Sequence, residues 1–348
     1  MVIYSRPLFY KSPAYSNQKN PVSVIICARN EEENLKKNLP FILEQDYPAF
    51  EVIVVNDRST DGTGDVLADL EKKYPVLKTT AIKLDHKFKH GKKLALTLGI
   101  KAASNEWLLL TDADCKPVSN QWISCMQRNF KKDKSIILGY GGYYTRKGLL
   151  NLLIRWDTVN IALQYFSLAM IGRPYMGTGR NLAYRKSLFF EKKGFASHSH
   201  IISGDDDLFI NEAANKKNTG IEFHYDSYTR SEAKSSLRDW FYQKKRHLTT
   251  GPHYKTSTKL ILGLETSSRI LLYISFIFLL INNIWPVWFI SAFLFRLIII
   301  MMFFKIISSR LCDKYLLLPS SILDLLLPLF NIFVHFTNYV AARRSRWN

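Results

Sequence analysis

Two aspartates one residue apart, Asp112 and Asp114, close the apolar run Trp107-Leu108-Leu109-Leu110. Such a run stopping at carboxylates reads as a buried parallel strand that empties into a polar site. Side chains at i and i+2 of an extended chain leave the same face, so the two carboxylates converge. A pair of hard oxygen donors suits Mg²⁺ or Mn²⁺, above all where a diphosphate adds oxygens. The alternative is a strand-end turn in which Asp114 caps the next helix. Asp206 stands among three acids, Asp205-Asp206-Asp207, after Gly204 at an expected helix start. Backbone N–H groups there are expected to lower its pKa, keeping it ionised as a base for a hydroxyl proton. Alternatively, all three acids merely complement the helix dipole.

Gln243 and Arg246 lie at i and i+3 of an expected helix, so amide and guanidinium could grip a pyrophosphate together, or form a solvated face. Asp57 ends a second apolar run, where it holds the base or ribose of a nucleotide or caps a helix. Lys92, after Gly91 in the basic loop from Asp85, neutralises phosphate or stays solvated.

The elements that position these residues alternate. Strands are expected at Val22–Ala28, Glu51–Asp57, Lys78–Leu84 and Trp107–Asp114. Helices between them carry Leu35, Leu39 and Ile42, then Val66, Leu67 and Leu70, then an Ala/Leu segment ending near Ala103. The fold class is therefore α/β, with a doubly wound, mainly parallel sheet. Further on, Trp122–Phe130 reads as a helix, Ile136–Tyr144 as a strand, and Gly177-Thr178-Gly179 as a turn leading into another strand. Ile221–Thr229 reads as a strand and Leu237–Leu248 as a basic aromatic helix. The helix pattern at 149–171 contains Arg155 and Asp157, so it is expected to lie on a bilayer or pack on the domain rather than cross.

The chain has 348 residues, 47% of them hydrophobic, and a net charge of +19. The charge implies an anionic partner. Apolar runs at Ile270–Leu280, Ile284–Phe304 and Leu316–Ala342, flanked by positive charge, favour membrane lipids over nucleic acid. The second run is long enough to span; the first spans by reaching back toward Leu260, across Glu265 and Arg269. The third, interrupted by Pro319, Asp324 and Pro328, is the poorer candidate. A two-crossing hairpin with the third segment in the interface keeps Arg343, Arg344 and Arg346 inside and is slightly preferred. Residues 1–20 show no signal segment, so the expected layout is an N-terminal arm (1–20), a cytoplasmic catalytic domain (21–255) and a multi-pass membrane region (256–348) at the cell's inner membrane. Cys27, Cys115, Cys125 and Cys312 have no paired spacing, which fits a reducing compartment and argues against structural zinc.

The motifs, in order, carry a resemblance. Val22–Ala28 with Arg29-Asn30-Glu31, then Val54-Val55-Asn56-Asp57-Arg58-Ser59-Thr60-Asp61, Thr111-Asp112-Ala113-Asp114, Gly204-Asp205-Asp206 and Gln243-Lys244-Lys245-Arg246 resemble family 2 glycosyltransferases. The match runs from about Pro21 to Gly251 and is nearest to the membrane-bound branch of hyaluronan, chitin, cellulose and poly-N-acetylglucosamine synthases. The resemblance implies a GT-A fold, a nucleoside-diphosphate sugar (UDP-linked) as donor, a divalent metal, and inversion at the anomeric carbon. It gives Asp57 the uracil or ribose, Asp112 the donor, Asp114 the metal, Asp206 the base role, and Gln243 with Arg246 the diphosphate. Gly177, Thr178 and Gly179 fall on the acceptor side.

His247 follows Arg246 where these synthases carry Trp. Imidazole stacks only weakly on a sugar and titrates near neutrality. That puts processive synthesis in question and favours transfer to a lipid-linked or glycan acceptor. No spanning segment is read ahead of the catalytic domain, so a channel of two or three helices would be narrow unless subunits combine. Processive synthesis is the alternative within enzymes; a membrane scaffold or nucleic-acid binder is the alternative outside them.

Overall fold

A computed structural model describes residues 3–14, 19–82, 91–317 and 319–344, so the basic loop ahead of Gly91 and the tail from Ser345 lie outside the described residues. The chain divides into two compact units, one of 1–144 with 164–232, the other of 145–163 with 233–348.

The first unit is built on β1 (Val22–Ala28), β2 (Phe50–Asp57), β3 (Leu77–Ile82) and β4 (Trp107–Leu110), which pair in parallel in the order β3-β2-β1-β4. The Val, Ile and Leu side chains of β1, β2 and β4 are buried on both faces, as crossover helices require, whereas β3 at the edge is only partly buried. Those helices are α2 (Glu32–Leu43), α3 (Thr63–Lys73) and α4 (Lys92–Ala102), and a short α1 (Arg6–Phe9) precedes the sheet. Leu35, Leu39 and Ile42 of α2 and Val66 and Leu67 of α3 join the core with Val24, Ile26, Val52 and Val54. Each such side chain contributes roughly 1.5–3 kcal/mol by leaving water.

The sheet then changes direction. β8 (Leu182–Arg185) inserts antiparallel between β4 and β6 (Ile136–Leu138), and β9 (Thr219–Ile221) pairs in parallel with β6. Because Leu110 faces Leu182 in this register, the segment entering β8 arrives at the edge where β4 ends. Sequence periodicity expected single strands over 136–144 and 221–229; both are broken. Gly139 and Tyr140 divide β6 from β7 (Gly141–Tyr143), and a turn at Tyr225–Ser227 divides β9 from β10 (Thr229–Ser231). β7, β10 and β5 (Lys116–Pro117) form a separate small sheet. Aromatic and β-branched residues gave both stretches one continuous strand signal, whereas side-chain hydrogen bonds at Asn181 and His224 decide the breaks. Short helices α5 (Trp122–Gln127), α7 (Lys186–Glu191) and α8 (Asp207–Ala213) complete this unit.

The buried acid Glu222 ties its far side together. It accepts from Arg128 Nε and Nη2 at 2.7 and 2.5 Å and from Asn129 at 2.5 Å, and from Ser12 and the N–H groups of Phe223 and His224.

The second unit holds α9 (Leu237–Leu248) and the long helices α10 (Thr256–Ile281), α11 (Pro286–Arg310) and α12 (Pro319–Arg344), while α6 (Leu149–Met170) runs from this unit into the first. Arg155 and Asp157, which argue against α6 crossing a bilayer, are buried ion-pair members: Arg155 Nε meets Asp313 at 3.0 Å and Asp157 meets Lys244 at 2.9 Å. Among the described residues, three helices are long and apolar enough to cross a membrane, Thr256–Ile281, Pro286–Arg310 and Pro319–Asn338. Asp324 of α12 joins them. It lies 3.3 Å from Arg269 of α10 and 2.7 Å from Arg296 of α11, and accepts from Tyr273 at 3.0 Å.

Replacing Glu222 by Ala leaves a buried guanidinium without its carboxylate, a loss of about 3–5 kcal/mol. A marked fall in the thermal unfolding midpoint of the detergent-solubilised chain is the expected reading.

Candidate active site

The carboxyl ends of β1, β2 and β4, the entry to β8, and the starts of α4 and α8 share one edge of the sheet, where open α/β folds bind ligands. A cleft there is walled by Lys92, Asp112, Gly179, Asp205 and Asp206 above a floor of Ile25, Cys27, Leu96 and Leu110. Lys92, the first residue of α4, spans it: its ammonium is 2.7 Å from Asp112 and 3.1 Å from Asp205. Burial works against that charge, but Asp112, Asp205 and Asp206 outweigh it and hold the ammonium well above its ordinary range. The same cation overrides the burial of Asp205 and keeps its carboxyl below the usual range.

Asp206 is the N-cap of α8, accepting from Asp207 N at 2.7 Å and from Gly179 N at 2.7 Å. Its pKa departs from the sequence expectation. Burial, then the charges of Asp205 and Asp207, push it up to about 7, against the weaker pull of Lys92 and the Gly179 N–H. A helix terminus does lower a carboxylate's pKa, but these terms are larger here. Gly204, at φ +93°, makes the approach; a Cβ there would lie 2.4 Å from Leu208.

Asp112 and Asp114 come together by a different route from the expected one. The strand stops at Leu110, and a turn closed by Cys115 N donating to Asp112 O (3.0 Å) folds the two side chains toward each other. Their carboxylate oxygens lie within 4.8 Å. Burial, then the charge of Asp112, raises the Asp114 pKa, and Arg180 opposes this. Two crowded carboxylates of this kind fit a divalent cation, whose charge would relieve both terms. The neighbouring Cys115 is a poor third ligand: its thiol donates to Asp114 Oδ1 at 3.5 Å and burial holds it well above its ordinary pKa.

Asp57 ends β2, buried, with Arg58 Nε at 2.8 Å. Arg58 (φ 55°) and Asn30 (φ 54°) both take left-handed backbone, and Asn30 Oδ1 accepts from Thr60 N while Asn30 N donates to Ser59 Oγ, stapling the loops after β1 and β2. Neither Asp57 nor Asp114 lines the cleft itself. Gly179 lies against Asp206, and a Cβ on Gly177 would come within 2.9 Å of Leu182, so that glycine serves close packing. Thr178 is half-buried between them. Gln243, Arg246 and His247 lie on α9 of the second unit, Gln243 half-buried and the other two exposed. That helix is held by Lys244 on Asp157, by Trp240 stacked on Phe330 at 5.1 Å, and by Asn338 donating to Lys245 O.

Sequence reasoning passed over Arg180 and Cys27. The carbonyl of Arg180 accepts from both Thr111 and Thr229, and its guanidinium lies over the Tyr143 ring. Cys27, on the floor, has its thiol pushed up to about 12 by burial; Lys92 opposes this, and Asp205, Asp112 and Asp57 add to it. A cysteine in an apolar run carries no signal of that position.

A mainly parallel sheet with an antiparallel insertion and acids along its carboxyl edge is a fold of GT-A type. Residues 23–190 match the family model for glycosyl transferase family 2. The chain is similar to the poly-β-1,6-N-acetyl-D-glucosamine synthase of Staphylococcus epidermidis, 32% identical over 111 residues, covering 32% of this chain and 25% of that one. It is also similar to a dolichyl N-acetyl-α-D-glucosaminyl phosphate 3-β-D-2,3-diacetamido-2,3-dideoxy-β-D-glucuronosyltransferase of Methanococcus voltae, 27% identical over 199 residues, covering 56% and 55%. The chain thus spans from a quarter to just over half of these relatives' lengths. In fold it resembles the mannosyltransferase PcManGT of Pyrobaculum calidifontis, solved with GDP-Man and Mn²⁺, with a TM-score of 0.59, 17% identity and 92% of each chain covered.

Because the folded Asp206 pKa lies above its unfolded value, wild-type stability falls as pH rises from the ordinary carboxylate range through about 7. Asp206→Asn removes this buried charge. Its thermal midpoint is expected to exceed that of the wild type at pH ~8, the gap closing as pH falls through that range.

Proposed function

We propose that the protein transfers a sugar, with inversion, from a nucleoside diphosphate to the hydroxyl of a lipid-linked or glycan acceptor at a membrane surface. The observation that carries this reading is Asp206. It is a buried carboxylate whose pKa is raised to about 7 and whose oxygens are fixed by two backbone N–H groups, across Lys92 from the Asp112 and Asp114 pair. A general base works best with a pKa near the working pH.

In this mechanism Asp206 takes the proton of the acceptor hydroxyl as its oxygen bonds the anomeric carbon. The bond from that carbon to the diphosphate oxygen breaks on the opposite face, and the nucleoside diphosphate leaves with the electron pair. Asp112 and Asp114 would hold a divalent cation, which supplies charge neutralisation to the diphosphate when bound. PcManGT, similar in fold, was solved in complex with GDP-Man and Mn²⁺, which supports this assignment. Lys92 meets the diphosphate from the start of α4, giving up its contact with Asp112. Asp57 takes the nucleoside, and the resemblance assigns the diphosphate to Gln243 and Arg246 as well. Gly179 positions the base on the acceptor side. The dolichyl phosphate named for the Methanococcus relative favours a lipid-linked acceptor. His247 in place of Trp favours single additions over a processive product.

Donor turnover by the purified protein over a panel of nucleotide sugars, with and without Mn²⁺, tests the reading. No turnover of any nucleotide sugar would refute it, and a ladder of products on a labelled donor would replace single addition with polymerisation. Asp206→Asn is expected to abolish transfer, a loss of roughly 10²–10⁴-fold, while donor binding persists. Wild-type kcat/KM is expected to rise with pH through about 7 as the base ionises. Asp114→Ala is expected to lose Mn²⁺-dependent donor binding, read by calorimetry with the nucleoside diphosphate.

A further inference from the structure

Cysteine spacing in the sequence argues against a zinc site, but the fold brings together three donors that spacing could not connect. Cys125 lies in α5, buried, and His224 and Asp226 lie at the turn between β9 and β10. One donor atom from each of the three is within 4.8 Å of the other two. His224 Nδ1 and Asp226 Oδ2 are 3.6 Å apart. In a tetrahedral zinc site, bonds of about 2.0–2.3 Å set the donor atoms roughly 3.3–3.8 Å from one another. The imidazole and carboxylate already have that separation, and only a modest closure toward the thiol is needed.

From this geometry we infer a second metal site, Cys125–His224–Asp226, for a borderline transition-metal ion of the zinc type, outside the donor cleft.

The His224 ring is already oriented. Its Nδ1 accepts from Asp226 N at 3.3 Å, so that nitrogen carries the lone pair a metal needs, and the weak bond is readily exchanged for a metal bond. The turn is fixed from beneath by Ser227, whose N–H and hydroxyl both donate to His224 O, at 2.9 and 2.6 Å. His224 and Asp226 are 43% and 36% exposed in their side chains while Cys125 is buried, so an ion would enter from solvent and reach the thiol from the His224 and Asp226 side. A thiolate, an imidazole and a carboxylate select zinc-type ions over Mg²⁺, leaving the fourth position to water. On binding, the Cys125 thiol releases its proton to solvent and its sulfur bonds the metal, so affinity rises with pH. The turn leads into β10, whose Thr229 hydroxyl holds the Arg180 carbonyl at 2.9 Å, so the ion would brace the strand behind the cleft.

Co²⁺ added to the chelator-treated, detergent-solubilised full chain is the test. One equivalent is expected to give a thiolate-to-cobalt charge-transfer band, retained in Cys115→Ser and in Asp114→Ala and absent from Cys125→Ser. His224→Ala, a surface change that leaves the core intact, is expected to weaken Co²⁺ binding at least tenfold, about the lower bound for disturbing a ligand shell. No band in the wild type, a band that survives Cys125→Ser, or unchanged affinity in His224→Ala overturns the site.

Discussion

One ammonium holds the candidate active site together. Lys92 stands between Asp112 and Asp205, with Asp206 one residue beyond, and bridges carboxylates that share a partly desolvated edge. The surplus of negative charge is what such a site needs. Asp112 and Asp114 are crowded enough to welcome a divalent ion, and Asp206 is crowded enough to prefer its proton until the pH is near neutral. Burial sets the direction for Asp114 and Asp206, and neighbouring charge deepens it.

The sheet makes this possible by its change of direction. Four parallel strands deliver Asp57 and Asp112 to one edge; β8, entering antiparallel, brings Gly179 to the same edge from the opposite sense of the chain. A purely parallel arrangement would present the carboxyl end of that strand there instead of the glycine-bearing turn that precedes it.

Much of this was legible in the residues. Unbroken Val/Ile/Leu runs gave β1 and β2 nearly to the residue, because strands buried on both faces need nothing else. Apolar spacing marked α2 and α3, and the acids Asp205-Asp206-Asp207 marked the start of α8. Less legible was anything decided by distant partners. The breaks after β6 and β9 depend on Asn181 and His224, which look like ordinary polar residues. The raised pKa of Asp206 depends on burial that a helix-start motif does not reveal, and the Asp112 and Asp114 pair is made by a turn where alternation suggested a pleat. Cys125 and His224, far apart in the chain, meet only through the packing of a short helix on a turn.

The two buried ion pairs of α6 bear on how the chain is made. Arg155 finds its acid 158 residues later, at Asp313, and Asp157 finds its base 87 residues later, at Lys244. During synthesis this stretch of α6 emerges long before either counter-ion. Asp157 can pair once Lys244 has been made, but Arg155 must stay hydrated until α11 has been translated and the chain has reached Asp313. A nascent chain stalled short of that residue would have to leave the Arg155 guanidinium in water, and this stretch of α6 unburied.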